Sequence, residues 1–223
     1  MQNNKIWKLY DDKSNTFSIQ SFETNEDLTS YWGYDFIYNE IYNWEFSQTG
    51  CIYEMFDCLI KPNDVVVDLG SNVGFFSVKS SEFASKVISI DGSPEAYSCL
   101  VENCKDLQNV LTLNANILSP ESEQSWLWSV KGNPLRMTLD DVFDLYQLDR
   151  IDFLKCDIEG GEYDLFNSLS EDTLSKIDRI AIETHDYNKN EHFSLPGKIK
   201  HSFYWTYNGG HQTMLYFTTP KNI

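Results

Sequence analysis

The 223-residue sequence has no apolar run approaching the roughly 20 residues that a helix needs to cross a bilayer. Its first residues, MQNNKIWKLYDDKSN, also lack the apolar stretch of a signal peptide. From these two absences we expect a cytoplasmic protein that has no membrane partner.

Basic residues are scarce, because 17 Lys and Arg face 34 Asp and Glu, which gives a formal net charge of −17. No two Lys or Arg residues are adjacent in the sequence. Proteins that bind nucleic acid need a basic surface that displaces counterions from phosphates. The charge therefore argues against nucleic acid and anionic membranes as partners, and it favours a small neutral or cationic ligand.

Cysteine pairs of the CxxC type are absent, and the five cysteines are an odd number. This pattern argues against a disulfide framework and against a structural zinc site. All five lie in apolar segments and are predicted to be buried thiols: Cys51, Cys58, Cys99, Cys104 and Cys156.

Repeats, low-complexity segments and Pro/Gly/Ser linkers are also missing, and 41% of the residues are hydrophobic, enough for a packed core. We predict one domain over residues 46–223. Residues 1–45, rich in aromatic and polar side chains, are predicted to form an N-terminal extension or cap. Two short strands around 5–10 and 16–20, joined by a DDKSN turn, are expected within it.

Hydrophobic periodicity predicts alternating helices and strands from residue 48 onward. The predicted helices cover about 48–60, 74–84, 94–104 and 138–146, with one more around 165–169. A loop or hairpin is expected over 119–136. The predicted strands are 65–67, 87–90, 110–113, 151–156 and 179–183, followed by an antiparallel hairpin of 203–207 and 213–217 around an Asn208-Gly209 turn.

This alternation is typical of an α/β fold with a doubly wound, mostly parallel sheet. Such sheets bind ligands at the carboxyl ends of their strands, near the point where the strand order reverses. Polar residues lie at or just beyond five predicted strand ends, so the sequence predicts one polar rim: Asp68, Asp91, Asn116, Asp157 and Glu183.

A glycine turn, Gly70-Ser71-Asn72-Val73-Gly74, follows the first buried strand. Glycine lets the chain turn sharply and pass close to a ligand. Asn72 occupies the place of the middle glycine in the G-x-G-x-x-G fingerprint, which makes room for a pyrophosphate, and no P-loop lysine follows. The turn therefore does not indicate a diphosphate, and a nicotinamide oxidoreductase is disfavoured.

Asp91 ends the second strand about 20 residues after the glycine turn, which is the place of an acceptor for ribose hydroxyls. A ribose without a pyrophosphate is characteristic of S-adenosylmethionine (SAM). Asp68, at the end of the first strand, is placed either to organise the glycine turn or to approach the methionine ammonium group.

Four segments resemble motifs of the FkbM-type SAM-dependent methyltransferases: VVVDLGSNVGFF (65–76), ISIDGSP (88–94), TLDD (138–141) and IDFLKCDIEGGE (151–162). The resemblance covers about residues 45–185, and its last motif is the most specific. Gly161 replaces the family's usual Ala, Asp91 replaces a common Glu, and the stretch after Asn114 is offset.

The resemblance implies a Rossmann-like class I methyltransferase fold with a seven-stranded sheet and a C-terminal antiparallel hairpin. It implies SAM as the cofactor and S-adenosylhomocysteine (SAH) as its product. The residues implied in cofactor binding are Asp68, Gly70, Ser71, Asn72, Gly74, Asp91, Gly92, Asn116 and Asp157.

Methyl transfer to a hydroxyl needs a nearby base or a metal, since a hydroxyl is a poor nucleophile at neutral pH. Asp157, Glu159 and His185 are the predicted catalytic residues, with Glu162 and Glu183 on the same rim. His185, with an ordinary pKa near 6.5, is the expected base, and Glu159 is expected to orient the base or the acceptor. Glu162 could instead simply favour the start of a helix, and Lys155 could pair with Asp157 on the same strand face.

A divalent metal on Asp157, Glu159, Glu183 and His185 is conceivable, but no tight ligand spacing supports it, so the sequence does not favour a metal. We expect O-methylation of a small molecule, sugar or secondary metabolite. N-methylation of a peptide or side-chain amide is the alternative, and a non-catalytic SAM-fold module is a third. The acceptor and the oligomeric state stay open.

Overall fold

The computed structural model describes residues 6–11, 16–21, 52–120, 134–185, 190–207 and 210–220. Its strands are β1 Ile6–Asp11, β2 Thr16–Ser21, β3 Val65–Leu69, β4 Lys86–Asp91, β5 Val110–Ile117, β6 Leu135–Met137, β7 Ile151–Cys156, β8 Ile177–Thr184, β9 Ile199–Tyr207 and β10 Gly210–Thr218. Its helices are α1 Phe75–Ser80, α2 Pro94–Cys104, α3 Leu139–Tyr146, α4 Glu162–Ser168 and α5 Glu171–Ser175.

Eight strands form the main sheet in the order β6-β5-β4-β3-β7-β8-β10-β9. The first six strands in this order are parallel, and β10 pairs antiparallel with both β8 and β9. This confirms the doubly wound, mostly parallel sheet with its C-terminal antiparallel hairpin. The sheet has one strand more than the seven expected, because β6 pairs with the end of β5 where a loop had been predicted over 119–136.

The sheet separates two apolar layers because its central strands are apolar on both faces. Val66 of β3 lies beside Phe153 of β7, and both belong to the layer that also contains side chains of α1 and α2. The next pair along the strands, Val67 and Leu154, points into the opposite layer with side chains of α3 and α4. Alternation along each strand thus fills both layers.

The chain leaves β3 in one direction for β4 and returns on its other side as β7. The carboxyl end of β3 is therefore the point at which the strand order reverses, where sheets of this kind bind their ligands. Side chains that follow β3, β4, β7 and β8 are brought to one edge of the sheet.

The helix predicted over 48–60 is wrong for the described part, residues 52–60, which consists of turns with a bridge between Met55 and Cys58. The apolar residues of this segment do reach the core, among them Ile52, Tyr53 and Ile60. Side chains from elsewhere fix the backbone: the Tyr216 hydroxyl donates to the Ile52 carbonyl at 2.6 Å. The hydrophobic periodicity of this segment therefore indicated which residues are buried, but it did not indicate a helix.

Other elements agree with the sequence more closely. Thr138 begins α3 with a capping box in which Thr138 and Asp141 hydrogen-bond each other's backbone N–H groups. Ser93 caps α2, as predicted, and β1 pairs antiparallel with β2. The helix expected over 74–84 is shorter, ending at Ser80.

Four of the five cysteines are free and buried, as predicted: Cys58, Cys99, Cys104 and Cys156. Cys51, the DDKSN turn after Asp11, the Asn208-Gly209 turn and the boundary between residues 45 and 46 lie outside the described residues. In the ranges that the structure describes, no helix has the length and apolar character needed to cross a membrane.

Candidate active site

The glycine turn follows β3 and is fastened to the neighbouring strand, since the backbone N–H groups of Gly70 and Ser71 both donate to the Ile90 carbonyl at 2.9 and 3.0 Å. Gly70 has φ +74°, and a Cβ added there would lie 1.6 Å from the carbonyl oxygen of Asp157. Only glycine fits, because both the positive φ and the backbone of the next strand exclude a side chain. The turn is thereby pressed against the residue that follows β7.

Asp91 ties the glycine turn to the end of β4. One carboxylate oxygen accepts the backbone N–H of Asn72 at 2.7 Å, and the other accepts that of Ser93 at 2.8 Å. Burial raises the pKa of Asp91 to about 6, against the opposing effect of these two hydrogen bonds. A carboxylate oxygen has two lone pairs, so Asp91 retains acceptor sites for ligand hydroxyls.

Asn116 and Gly92 lie together beside Asp91. A Cβ at Gly92 would come within 1.8 Å of the Asn116 side-chain oxygen, so the amide lies directly over the glycine. The sequence put Asn116 beyond a strand ending near 113, but β5 continues to Ile117 because its end pairs with β6. Asn116 thus lies within β5 and not beyond it, but it is still at the same edge of the sheet as Asp91.

Asp68 is fully buried beneath the turn. It accepts a hydrogen bond from the Ser77 hydroxyl at 2.5 Å and lies 3.2 Å from the Lys155 ammonium group. Lys155 also donates to the Gly70 carbonyl at 2.6 Å. The ion pair considered between Lys155 and Asp157 is therefore replaced by one with Asp68, and of the two roles considered for Asp68 its burial supports organising the turn.

The Tyr53 hydroxyl lies between two acids of neighbouring strands. Asp157 follows β7, and Glu183 lies near the end of β8. The Tyr53 hydroxyl lies 3.0 Å from Asp157 Oδ2 and 3.1 Å from Glu183 Oε2. Burial, and then the charge of Asp157, raise the pKa of Glu183 above its usual range. Sequence reasoning missed Tyr53, since nothing local in the segment around it indicates a contact with the rim.

His185 lies among three acids. Its Nδ1 is 3.0 Å from Glu162 Oε1, and its Nε2 is 3.2 Å from Glu159 Oε2 and 4.0 Å from Asp157 Oδ1. The structure thus brings together the three predicted catalytic residues. The buried carboxylate that orients the imidazole is Glu162, which also accepts the backbone N–H of Gly160 at 2.9 Å, whereas the Glu159 side chain is 83% exposed.

The surrounding acids decide the charge of His185. Burial alone would lower its pKa, but the hydrogen bond and charge of Glu162, together with Glu159 and Asp157, raise it to about 9. His185 is therefore cationic at neutral pH, and the ordinary pKa near 6.5 on which its role as a base was predicted does not apply. A protonated imidazole has no lone pair with which to accept a proton.

A cation could be held here as well. Among the described residues, Asp157, Glu159 and His185 each offer a ligand atom, and these atoms lie within 4.8 Å of one another. Oxygen and imidazole nitrogen ligands suit several divalent metals. Glu183, the fourth residue considered for this purpose, bonds to Tyr53 instead.

The strand order, with an antiparallel strand inserted before the last one, is that of a Rossmann-like methyltransferase fold, and the glycine turn and Asp91 lie at its switch point. Residues 133–206 match the profile of the family described as the methyltransferase FkbM domain. This match covers about a third of the chain and agrees with the FkbM-type motifs in its sequence.

A curated relative is the 23S rRNA (uracil(1939)-C(5))-methyltransferase RlmD of Shewanella sediminis, 34% identical over 73 residues, which are 32% of this chain and 16% of the relative's length. An rRNA methylase structure from Streptococcus thermophilus has a TM-score of 0.48 at 13% identity and covers 72% of this chain and 90% of its own. The structure of M. capricolum TrmK in complex with SAH has a TM-score of 0.46 at 9% identity. The match covers 73% of this chain and 65% of TrmK.

Proposed function

We propose that this chain transfers the methyl group of SAM to a hydroxyl of a small molecule, a sugar or a secondary metabolite. One observation carries the proposal: Asp157 contacts both the glycine turn and the cluster of acids around His185. Its backbone carbonyl packs against Gly70, while its side chain belongs to the cluster around His185. A methyl donor held by the turn would lie beside groups suited to an acceptor.

SAM binding is assigned to the switch point of the sheet. Asp91 accepts the ribose hydroxyls, Gly92 and Asn116 border the adenine, and Asp68 supports the turn from below. The acidic rim also suits the positive charges of the sulfonium and ammonium groups. The complete set comprises Asp68, Gly70, Ser71, Asn72, Gly74, Asp91, Gly92, Asn116 and Asp157.

In the reaction, the acceptor oxygen forms a bond to the methyl carbon while the bond from that carbon to sulfur breaks, and SAH is released. The enzyme's main task is to align the two reactants. The hydroxyl proton goes to the Asp157 carboxylate, which lies next to the glycine turn. His185 in its cationic form holds Glu159 and Asp157 in place, and Glu159 faces the acceptor at the exposed side.

An amide nitrogen of a peptide or side chain is the alternative acceptor, since the same SAM site would serve it. The curated relative's name refers to 23S rRNA. The net charge of −17 opposes an RNA acceptor, because RNA binding needs cationic contacts to phosphates. The proposed partner is therefore a small molecule or a peptide, and a non-catalytic SAM-binding module is the remaining alternative.

Calorimetry with SAM, SAH and NAD tests the cofactor, and incubation with SAM and a panel of hydroxyl and amide compounds, read by mass, tests the acceptor. We expect SAM and SAH to bind, NAD not to bind, and a hydroxyl compound to gain one methyl group. Binding of NAD without SAM would overturn the proposal. Methylation of an amide or of an rRNA fragment would replace the acceptor class, and SAM binding without any methylated product would favour the non-catalytic module.

A further inference from the structure

The Tyr53 hydroxyl joins the carboxylates that follow two neighbouring strands. It lies 3.0 Å from Asp157 Oδ2 and 3.1 Å from Glu183 Oε2, and the Tyr53 side chain is buried. Tyr53 precedes the first strand of the main sheet, and it lies outside residues 133–206, which match the FkbM domain. It therefore reaches the rim from a separate part of the chain.

Within the described ranges, Tyr53 supplies the only hydrogen bond to either carboxylate side chain. For Asp157 the result is asymmetric. Its Oδ2 is occupied by the phenol, while its Oδ1 is buried, has no hydrogen bond and lies 4.0 Å from His185 Nε2. The hydroxyl thus fixes the orientation of the Asp157 carboxylate, with Oδ2 at the phenol and Oδ1 toward His185.

The position of the phenol is itself fixed. The Tyr53 ring packs edge-on against Phe76 with the ring centroids 5.5 Å apart, and the Lys155 ammonium lies 4.9 Å from the centre of its ring. The backbone beside it is held by the Tyr216 hydroxyl, which donates to the Ile52 carbonyl at 2.6 Å. A hydroxyl held on several sides can orient the acids it contacts.

We propose that Tyr53 is a positioning residue for methyl transfer, whose hydroxyl fixes the orientation of the Asp157 carboxylate at the rim. This inference rests on the proposed function. Without the hydroxyl, two adjacent acids, of which Glu183 is buried, lose their shared donor, so Asp157 turns toward other donors or solvent. The turn that holds the cofactor remains, because it depends on Asp91, Lys155 and the Ile90 carbonyl.

The test compares Tyr53→Phe with Tyr216→Phe. Each change removes one buried phenol hydroxyl, and the control loosens the backbone next to Tyr53 while leaving the Tyr53 hydroxyl with both carboxylates. The measurements are SAH affinity by calorimetry, the thermal midpoint, kcat and KM with the acceptor found in the panel, and crystal structures of the SAH complexes.

For Tyr53→Phe we expect kcat to fall about tenfold to a hundredfold, since a misplacement of about 1 Å can cost about 10²-fold. SAH affinity should be unchanged, and Asp157 should occupy a new or a second orientation in the crystal. Tyr216→Phe should keep kcat and the Asp157 orientation.

Equal kcat values in the two variants, an unchanged Asp157 orientation, or a loss of SAH affinity that parallels the loss of kcat would each overturn the assignment. These results differ from a failure of the proposed function itself. In that case the unsubstituted protein would bind no SAH or would methylate nothing. The structural comparison needs only SAH, so it decides the inference even if no acceptor is found.

Discussion

At the scale of single residues, the environment raises the pKa values of two side chains, Asp91 and His185, above their ordinary values. Burial raises the pKa of Asp91 to about 6. The acids around His185 raise its pKa to about 9 although burial opposes this. Asp91 is therefore closer to losing its charge at neutral pH than a free aspartate, whereas His185 is far from losing its own. Both shifts have consequences that can be measured.

SAH affinity should fall as the pH drops below about 6, because in the proposed site the ribose hydroxyls bind the charged form of Asp91, which protonation removes. The loss approaches about tenfold for each further pH unit. Asp91→Asn should weaken SAH binding at neutral pH by about 1.5–3 kcal/mol and should make the affinity less dependent on pH. Calorimetry over a pH series measures both, with the exposed Asp149→Asn as the control; a pH dependence that persists in Asp91→Asn would assign it to another group.

Turnover should fall as the pH rises above about 9, because His185 then loses the charge that holds Glu159 and Asp157. Below that pH the histidine stays cationic, so kcat at saturating SAM should not increase through pH 6.5. His185→Gln should lower turnover by about tenfold or more through misplaced acids, with SAH affinity nearly intact. A kcat that instead increases with pH toward about 9 would identify neutral His185 as the base, and full turnover in the variant would remove His185 from the mechanism.

At the scale of elements, the contact between the turn after β3 and the residue after β7 joins the proposed cofactor site to the acids around His185. The turn can lie this close because Gly70 has no side chain toward the Asp157 carbonyl. The two segments are connected by parallel pairing of β3 with β7, including Leu69 with Cys156. A change at this contact should therefore affect both binding and stability.

Gly70→Ala should abolish SAH binding and lower the thermal midpoint strongly, because the new Cβ would overlap a backbone oxygen at 1.6 Å. Gly197→Ala is a matched control: its φ is +70°, but nothing lies within 4 Å of the new Cβ. In the control, the free energy of unfolding should fall by only about 1–2 kcal/mol, which is the cost of placing an alanine at a positive φ. Chemical denaturation and calorimetry compare the variants, and similar losses in both would show that the φ angle, and not the contact, makes Gly70 necessary.

At the scale of the whole molecule, the doubly wound sheet collects acids at one edge of an already acidic protein. The net charge is −17, and Asp157, Glu159, Glu162 and Glu183 all lie at the ends of β7 and β8 or just beyond them. His185 contributes a positive charge within this group. The cluster is thus partly neutralised by the protein's own side chain.

Methyl transfer should survive dialysis against EDTA, and added magnesium should not increase it, because His185 already pairs with the carboxylates that could hold a cation. The measurement is SAH formation before and after chelation, together with calorimetric titration of magnesium into the chelated protein. Activity that disappears on chelation and returns with magnesium would make Asp157, Glu159 and His185 metal ligands.

The sequence alone determined much of the fold. Buried strands such as Ile151–Cys156, the Thr138 cap and the glycine turn were readable because periodicity and turn residues act over a few positions. The polar residues at strand ends predicted one rim, since parallel strands end at the same edge. The short strand β6 and the turns over 52–60 were not readable, because pairing with β5 and contacts from distant side chains decide them.

The hydrogen bonds and charges at the rim depend on contacts between distant parts of the chain. Tyr53 lies 104 residues from Asp157 and 130 from Glu183 in the chain, and no local pattern relates them. The charge of His185 depends likewise on Glu162, 23 residues away, and on how deeply each group is buried. Most helices and strands follow from local sequence, whereas hydrogen-bond partners and pKa values follow from burial and distances that exist only after the chain has folded.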